Sequence, residues 1–172
     1  MGDLYLIDSC IAPAPWDKND KLHERARRFV ASIGKSRMVI SVVTLGEIEC
    51  GLRSHPQMDE ERKSAVRASM AEYVYVLDVT RHTVRSYSEI RAKLIAQYAP
   101  SDSRGNLKKK WPEDYRDTPT GKSLGIQEND IWIAAQAHER NALLVTEDKH
   151  MDRIAGLDLS SPLRIVRLSE LD

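Results

Sequence analysis

The sequence predicts a three-layer α/β/α sandwich in which helices cover both faces of a central, mainly parallel β-sheet. Short apolar runs typical of strands alternate with longer segments whose apolar residues recur at helical spacing. Strands separated by helices need crossover connections, which favour parallel pairing. The runs LYLI and ALLV are continuously apolar, as expected for strands that are buried on both faces. We expect the 172 residues to form one domain, residues 1–172.

The first part of the chain contains three predicted strands and four predicted helices. The strands are LYLI at 4–7, RMVIS at 37–41 and VYVLDV at 74–79. The first helix is indicated by the apolar stripe Leu22, Ala26, Phe29, Val30 and Ile33. The second is VTLGEIECGL, ending near Gly51; the third spans 59–73; the fourth spans 80–98, with the stripe Val84, Tyr87, Leu94, Ile95 and Tyr98.

After Tyr98 the periodic pattern breaks, and residues 100–125 are predicted to form a long structureless loop. Such a loop inside a compact domain is uncommon and is often functional. A helix then begins in QENDIWIAA and ends near Asn141, which suits a left-handed cap. The chain finishes with the strand ALLVT, a short helix over DKHMDRI and the strand LRIVRL.

Composition excludes several classes of function. The net charge is zero, which argues against a generally polycationic nucleic-acid binder. The start has no basic region followed by a long apolar run, and MVISVVTL is too short to cross a bilayer. We therefore expect a cytoplasmic protein without membrane contact. The two cysteines, Cys10 and Cys50, do not favour a disulfide. Together with the five histidines, they do not favour a zinc site either.

Carboxylates stand at or near the ends of several predicted strands. The positions are Asp8, Glu47, Asp78, Glu147 and Asp148, and Asp130 opens the helix that leads into ALLVT. In parallel α/β sheets, sites form outside the carboxyl ends of the strands. Carboxylate oxygens are the ligands that hard divalent cations prefer. The pattern therefore predicts a cation site at this edge of the sheet.

Each of these acids also has a structural explanation. Glu47 follows Thr44 at the spacing of a capping box. Asp130 and Asp148 fall in first helical turns, where the helix dipole favours negative charge. Asp8 has the weakest structural explanation, because an aspartate that ends a buried strand must be solvated, hydrogen-bonded or bound to something.

Four segments together resemble the acidic motifs of PIN-domain nucleases, in particular the VapC-type ribonuclease toxins of toxin–antitoxin pairs. They are LYLIDS, SVVTLGEIECG, ENDIWIAA and LLVTED, and the resemblance extends from about residue 4 to about residue 168. It implies that the catalytic, metal-binding carboxylates are Asp8, Glu47, Asp130 and Asp148. The threonine of the last motif, Thr146, selects Asp148 rather than Glu147.

The same resemblance implies a metal-dependent endoribonuclease that uses one or two Mg²⁺ or Mn²⁺ ions to hydrolyse RNA. Bound ions would relieve the repulsion between the carboxylates and activate water for in-line displacement. Ser9 matches a hydroxyl residue that helps to position substrate or a ligand. Glu49 and Glu128 are additional acids close to the site, and Asp78 has no catalytic counterpart. A homodimer and a cognate antitoxin are the implied partners.

Two features depart from the family pattern. Cys10 stands where the family usually has an asparagine, and the 100–125 segment is longer than its usual counterpart. Within that segment, LKKKWPEDY combines Lys108, Lys109 and Lys110 with Trp111 and Tyr115, which suits phosphate attraction and base stacking. The alternative is a mobile, solvated loop without a binding role.

Two other functions are compatible with these residues. One is a PIN-like fold that binds RNA or a partner protein without cutting, which the Cys10 departure motivates. The other is a receiver-like phosphoacceptor domain that binds Mg²⁺ and would use Asp78. A receiver-like site calls for a pair of acids, whereas this chain has Asp8 followed by Ser9.

Overall fold

The structure is a computed structural model that describes residues 3–34, 37–108, 111–117 and 119–171. Strands and helices alternate within these ranges. The strands are β1 (Tyr5–Ile7), β2 (Met38–Ser41), β3 (Tyr75–Leu77), β4 (Leu143–Val145) and β5 (Arg164–Val166). The helices are α1 (His23–Ile33), α2 (Val42–Ser54), α3 (Glu60–Met70), α4 (Arg81–Tyr98), α5 (Glu128–Glu139) and α6 (Met151–Ala155).

The five strands form one parallel sheet in the order β3-β2-β1-β4-β5. In the central strand, Ile7 is aligned with Ile40 of β2 and Val145 of β4. Because parallel strands end at the same edge, Asp8 and Thr146, which follow β1 and β4, emerge side by side. The predicted α/β architecture with a parallel sheet is confirmed.

Successive strand residues enter two separate cores, because their side chains point to opposite faces of the sheet. One core joins the sheet to α4, α5 and α6, and includes Leu6, Val39, Ile90, Leu94, Ile131, Ala134, Leu144 and Ile154. The other joins it to α1 and the turns before it, and includes Ile7, Ile11, Leu22, Ala26, Ile33, Ile40 and Val145. Burying one such aliphatic side chain contributes about 1.5–3 kcal/mol, so the end of β1 is held firmly from both sides.

Helix α2 begins earlier and ends later than the sequence predicts. The Ser41 hydroxyl accepts a hydrogen bond from the Val43 amide at 2.9 Å, and this caps the helix directly at the end of β2. Thr44 therefore lies inside the first turn, and its buried hydroxyl has no hydrogen-bond partner among the described residues. The capping-box explanation of Glu47 is thus wrong, and the helix continues through Gly51 to Ser54.

The boundaries of the other helices lie within about three residues of their predictions, but α6 begins only at Met151, so Asp148 precedes that helix and its placement in a first helical turn is wrong. Asp59 and Thr80 cap α3 and α4 by accepting hydrogen bonds from backbone amides of the first turn. Asn141 adopts a left-handed conformation with φ of 50° just after α5, as predicted. The predicted apolar stripe of α4 is wrong at Val84, which is exposed, because the helix turns Thr83, Ile90 and Leu94 inward.

The 100–125 segment has local structure where the sequence predicts a structureless loop. It contains a 3-10 turn at Pro112–Asp114 and two isolated antiparallel bridges, which join Ser101 to Leu107 and Arg116 to Ser123. Tyr115 is completely buried against the core that contains α4 and α5, so the prediction that it stacks on bases is wrong. An aromatic side chain buried in this way fixes the segment to the domain, so that prediction is corrected.

Candidate metal centre

Asp8 lies at the end of the central strand and is only 4% exposed. Its Oδ1 atom accepts a hydrogen bond from the Ser9 amide at 2.7 Å. Its Oδ2 atom accepts one from the Thr146 hydroxyl at 2.6 Å. A buried carboxylate needs such donors, because an unpartnered one would lose its hydration without compensation. The hydrogen bonds also fix the direction in which Asp8 presents its remaining lone pairs.

The turn after β4 connects Asp8 to Asp148. The Thr146 hydroxyl that donates to Asp8 also accepts the Asp148 amide at 3.0 Å. The nearly buried Arg167 donates to the backbone oxygens of Thr146 and Asp148 at 3.3 and 3.4 Å. Asp148 itself accepts the His150 amide at 2.8 Å through Oδ1. This turn therefore has a defined shape that places Asp148 beside Asp8.

Glu47 approaches the same site from α2. Burial raises the pKa of its carboxyl group, while hydrogen bonding from the Ser9 and Asn129 side chains opposes that rise. The charge of Asp8 raises the pKa further, so these two carboxylates are close enough to repel each other. An open cleft of about 580 Å³ lies against Glu47 and is lined by residues of α2 together with Gln127 and Asn129.

Asp130 completes the group from the first turn of α5. Its Oδ2 atom accepts the Gln127 amide at 2.7 Å, which also closes the start of the helix. Burial, opposed by the Gln127 amide and assisted by the charges of Asp148, Asp8 and Glu47, raises the pKa of Asp130 to about 7. The structure thus brings all four predicted carboxylates together, although they come from four separate elements.

No positive side chain neutralises this group within the described ranges. None of the ion pairs formed there includes Asp8, Glu47, Asp130 or Asp148. A cluster of carboxylates without a cation is electrostatically unfavourable, and a divalent ion with oxygen ligands would relieve the repulsion. The chemistry of the donor set therefore fits Mg²⁺ or Mn²⁺.

The cluster does not have the geometry of a closed metal site. In the part of the chain that the structure describes, no three His, Cys, Asp or Glu side chains converge closely enough to hold an ion. Oxygens of Asp8 and Asp130 are instead hydrogen-bonded to backbone amides and to Thr146. Repulsion favours these separate partners, and an ion would have to draw the carboxylates inward.

Cys10 replaces the family asparagine within this network. Its thiol lies 3.5 Å from Asp8 Oδ2 and 3.5 Å from the Thr146 hydroxyl, and its sulfur accepts the Glu147 amide. Burial raises the pKa of the thiol to about 11, with a further contribution from the charge of Asp8. The neutral thiol therefore acts as a weak donor to Asp8.

Other predicted residues lie around the cluster with partners of their own. Glu128 accepts a hydrogen bond from the Tyr87 hydroxyl and pairs with Arg91 at 3.7 Å, so its side chain is directed toward α4. Glu49 pairs with Arg53 and Arg67, which lower its pKa to about 2.

Glu147 accepts hydrogen bonds from the amide and hydroxyl of Ser169, at 2.8 and 2.7 Å, and so binds the C-terminal turn. Asp78 is exposed at the end of the edge strand β3. Lys108 and Trp111 are exposed, while Lys109 and Lys110 lie outside the described residues.

Sequence reasoning missed two residues of the site. Asn129 belongs to the ENDIWIAA motif, but only the fold shows that its side chain forms a hydrogen bond with Glu47. Arg167 follows the last strand, nineteen residues after Asp148. Nothing in the local sequence indicates that it contacts the Asp148 turn, because that contact depends on the pairing of β4 with β5.

Family comparison agrees with this fold. The PIN domain family matches residues 5–157. The chain therefore belongs to the PIN domain family, and the resemblance of its acidic motifs to that family is confirmed. No curated protein matches the chain. No described helix is both long enough and apolar enough to cross a membrane.

Solved structures of VapC-type proteins share the fold over almost their whole length. DNA-bound VapBC from Salmonella typhimurium is 20% identical, with a TM-score of 0.65 over 97% of this chain and 99% of the other. VapBC2 from Rickettsia felis, bound to a promoter DNA fragment, is 18% identical, with a TM-score of 0.62 over 95% and 98%. Mycobacterium tuberculosis VapC20, a toxin that cleaves the sarcin-ricin loop, is 14% identical, with a TM-score of 0.53 over 92% and 98%.

Proposed function

We propose that this PIN-domain protein is a metal-dependent endoribonuclease and the toxin of a toxin–antitoxin pair. One observation carries the proposal: four carboxylates from separate elements lie near enough at the carboxyl edge of the sheet for their charges to act on one another, and no described positive side chain pairs with them. A negatively charged site of this kind binds an RNA phosphate only when a cation stands between them.

Asp8, Glu47, Asp130 and Asp148 would hold one or two Mg²⁺ or Mn²⁺ ions. When bound, such ions polarise the phosphodiester and supply the nucleophile near neutral pH. Thr146 orients Asp8 and the Asp148 turn together through its two hydrogen bonds. Ser9 holds Asp8 through its amide and supports Glu47 through its side chain. These contacts orient Asp8, Glu47 and the Asp148 turn, and an ion would draw the four carboxylates inward from these positions.

Asp130 makes ion binding depend on pH. Because its pKa is about 7, the carboxyl group is partly protonated near neutrality and must release its proton when it binds a cation. Metal affinity and cleavage should both rise as the pH increases through this range.

The proposed partners are an antitoxin protein and a second copy of the chain. Structures of similar fold include toxin–antitoxin complexes, which supports the first. The second is supported by an exposed apolar patch on and beside the edge strand β3, formed by Val74, Tyr75, Val76, Val79 and Val84. Exposed apolar side chains on and beside an edge strand are typical of an interaction surface.

Cleavage of structured RNA by the purified protein tests the proposed activity. We expect cleavage with Mn²⁺, none after chelation, and none from Asp8→Asn with Mn²⁺. Glu49→Gln is the matched control, since Glu49 lies on the same helix as Glu47 but pairs with two arginines. RNA that stays intact with the wild-type protein and Mn²⁺, or cleavage that survives Asp8→Asn, contradicts the proposal.

A PIN-like module that binds RNA or protein without cutting is the second candidate. The observation that favours it is the open geometry of the cluster, combined with Cys10 in place of the family asparagine. This module would bind RNA with or without Mn²⁺ and would leave it intact. The receiver-like alternative has no such support, because the chain belongs to the PIN family and Asp78 lies on the edge strand.

A further inference from the structure

The 100–125 segment is attached to the helix that carries Asp130. Glu113 of its 3-10 turn accepts the Glu128 amide at 2.9 Å through Oε1, at the first residue of α5. Arg91 of α4 donates to the Tyr115 hydroxyl at 3.2 Å and pairs with Glu128 at 3.7 Å. The segment and the head of α5 are therefore held by the same group of side chains.

The end of the segment is attached to the turn that carries Asp148. Arg153 of α6 donates to the Leu124 carbonyl at 2.8 Å. Gly125 has φ of +73°, and a Cβ atom at this position would lie 2.4–2.6 Å from the ring atoms of His150. Backbone and imidazole are thus in close contact two residues after Asp148. Both attachments place the segment beside the carboxylate cluster.

The acidic and basic side chains of the segment differ in their surroundings. Among its acids, Asp102 accepts hydrogen bonds from its own turn, Asp117 accepts the Thr120 hydroxyl, and Glu113 caps α5. Its described basic side chains are all exposed and form no ion pair with any described residue; they are Arg104, Lys108, Arg116 and Lys122. Three of the four acids thus accept hydrogen bonds and the described cations face solvent, so this surface favours a polyanion.

Trp111 projects from this surface with 62% of its area exposed. Trp111 lies two residues before Glu113 in the sequence. Glu113 accepts a hydrogen bond from the amide of Glu128, which lies two residues before Asp130. Because two residues reach at most about 7 Å, Trp111 lies within roughly 20 Å of the carboxylate cluster. A free indole face beside cations is the arrangement that stacks on unpaired bases. Bases in a duplex are already stacked on both sides and cannot use it.

We infer that the 100–125 segment is a binding arm for unpaired RNA, in which Trp111 stacks on a base a few nucleotides from the bond to be cut. The position of that bond rests on the proposed nuclease function, whereas the stacking does not. The arm also supplies the cations that the negatively charged centre lacks, so it holds the strand where the centre alone would repel it.

Binding of labelled RNA to the full chain, measured by fluorescence anisotropy in the presence of a chelator, tests this inference. Trp111→Ala should weaken binding of a single-stranded oligoribonucleotide by about 5- to 100-fold. Trp111→Phe should restore most of the affinity, because it keeps an aromatic face. Leu107→Ala is the control, since Leu107 is an exposed apolar residue of the same segment. Lys108→Gln should reduce the salt dependence of binding.

A hairpin duplex of the same composition is the second probe, and it should bind more weakly and respond little to Trp111→Ala. Equal single-strand affinity of wild type and Trp111→Ala overturns the inference, as does a duplex that binds equally well with the same dependence on Trp111. The result is distinct from that for the nuclease. Binding that depends on Trp111 in a protein that leaves RNA intact with Mn²⁺ supports the arm and contradicts the activity.

Discussion

At the scale of single residues, Asp8 shows how the site is built. It is buried at the end of the central strand, and each of its oxygens accepts a short hydrogen bond. The Thr146 hydroxyl donates one of these hydrogen bonds, and its oxygen also accepts a hydrogen bond from the Asp148 amide. One hydroxyl group therefore links two of the four proposed ligands.

Replacing Thr146 with valine removes this link while keeping the shape of the side chain. We expect a loss of about 1–3 kcal/mol in the free energy of unfolding, since a buried carboxylate and an amide each lose a partner. Denaturant unfolding measures the loss. Thr120→Val is the control, because the Thr120 hydroxyl also donates to an aspartate but at an exposed position. Equal stability of Thr146→Val and wild type would remove Thr146 from the account.

The raised pKa of Asp130 predicts that the stability of the fold depends on pH. An aspartate in the unfolded chain ionises near pH 4, whereas the pKa of Asp130 in the fold is about 7. Between these values the folded state holds a proton that the unfolded state has lost. The stability of the metal-free protein should therefore fall as the pH rises through this window.

Asp130→Asn should remove that loss and stabilise the metal-free protein above pH 7 by on the order of 1–3 kcal/mol. The asparagine side-chain oxygen can still accept the Gln127 amide, so the start of α5 is preserved. Thermal unfolding over the pH range measures the effect, with the exposed Asp78→Asn as the control. If Asp130→Asn and wild type lose stability in parallel, the proton is held elsewhere.

At the scale of elements, the sequence predicted the strands and most helices because their signals are local. Apolar runs and helical stripes placed β1, β4 and α5 within about two residues. The start of α2 was mispredicted because Ser41 and Thr44 are both good caps, and only the end of β2 decides between them. The four carboxylates were found through the motifs, whereas the contacts of Asn129 and Arg167 depend on pairing between distant elements.

One contact of the 100–125 segment, that between Gly125 and His150, requires a glycine. Gly125→Ala would strain a positive φ and also displace the His150 ring from its contact with Arg153. Gly121→Ala is the matched control, because Gly121 has φ of +66° but open space around it. We expect Gly125→Ala to cost about 1–2 kcal/mol more in unfolding free energy than Gly121→Ala.

Removing the His150 ring should make the unfolding free energies of the two alanine variants similar. In a His150→Ala background, the difference between Gly125→Ala and Gly121→Ala should largely disappear, since only the backbone strain is left. A difference that persists in this background means that the close approach of His150 does not set the cost.

At the scale of the whole molecule, a net charge of zero hides an uneven surface. Carboxylates gather at one edge of the sheet, and exposed cations that form no ion pair with any described residue lie on the adjacent 100–125 segment. Apolar side chains cluster separately, on and near the edge strand β3. This division predicts one surface for RNA and another for a second copy of the chain.

The proposed homodimer can be tested at β3. The double substitution Val74→Glu and Val76→Glu places like charges on the exposed edge and should shift the protein from dimer to monomer in sedimentation equilibrium. Both side chains are exposed, so the monomer should keep its fold. Leu171→Glu, at an exposed apolar position outside the patch, should leave the dimer intact. A double variant that sediments as the wild-type dimer would place the interface elsewhere.

Titration of the full-length protein with Mn²⁺ by calorimetry, at about pH 8, tests the central claim most directly. At this pH Asp130 is mostly ionised, because its pKa is about 7. We predict that the wild-type protein binds one or two ions. Each of Asp8→Asn, Glu47→Gln, Asp130→Asn and Asp148→Asn should weaken binding by more than about tenfold, and Glu49→Gln should not. Wild-type protein that binds no Mn²⁺, or four variants that bind it as the wild type does, would contradict the claim that these carboxylates form one metal centre.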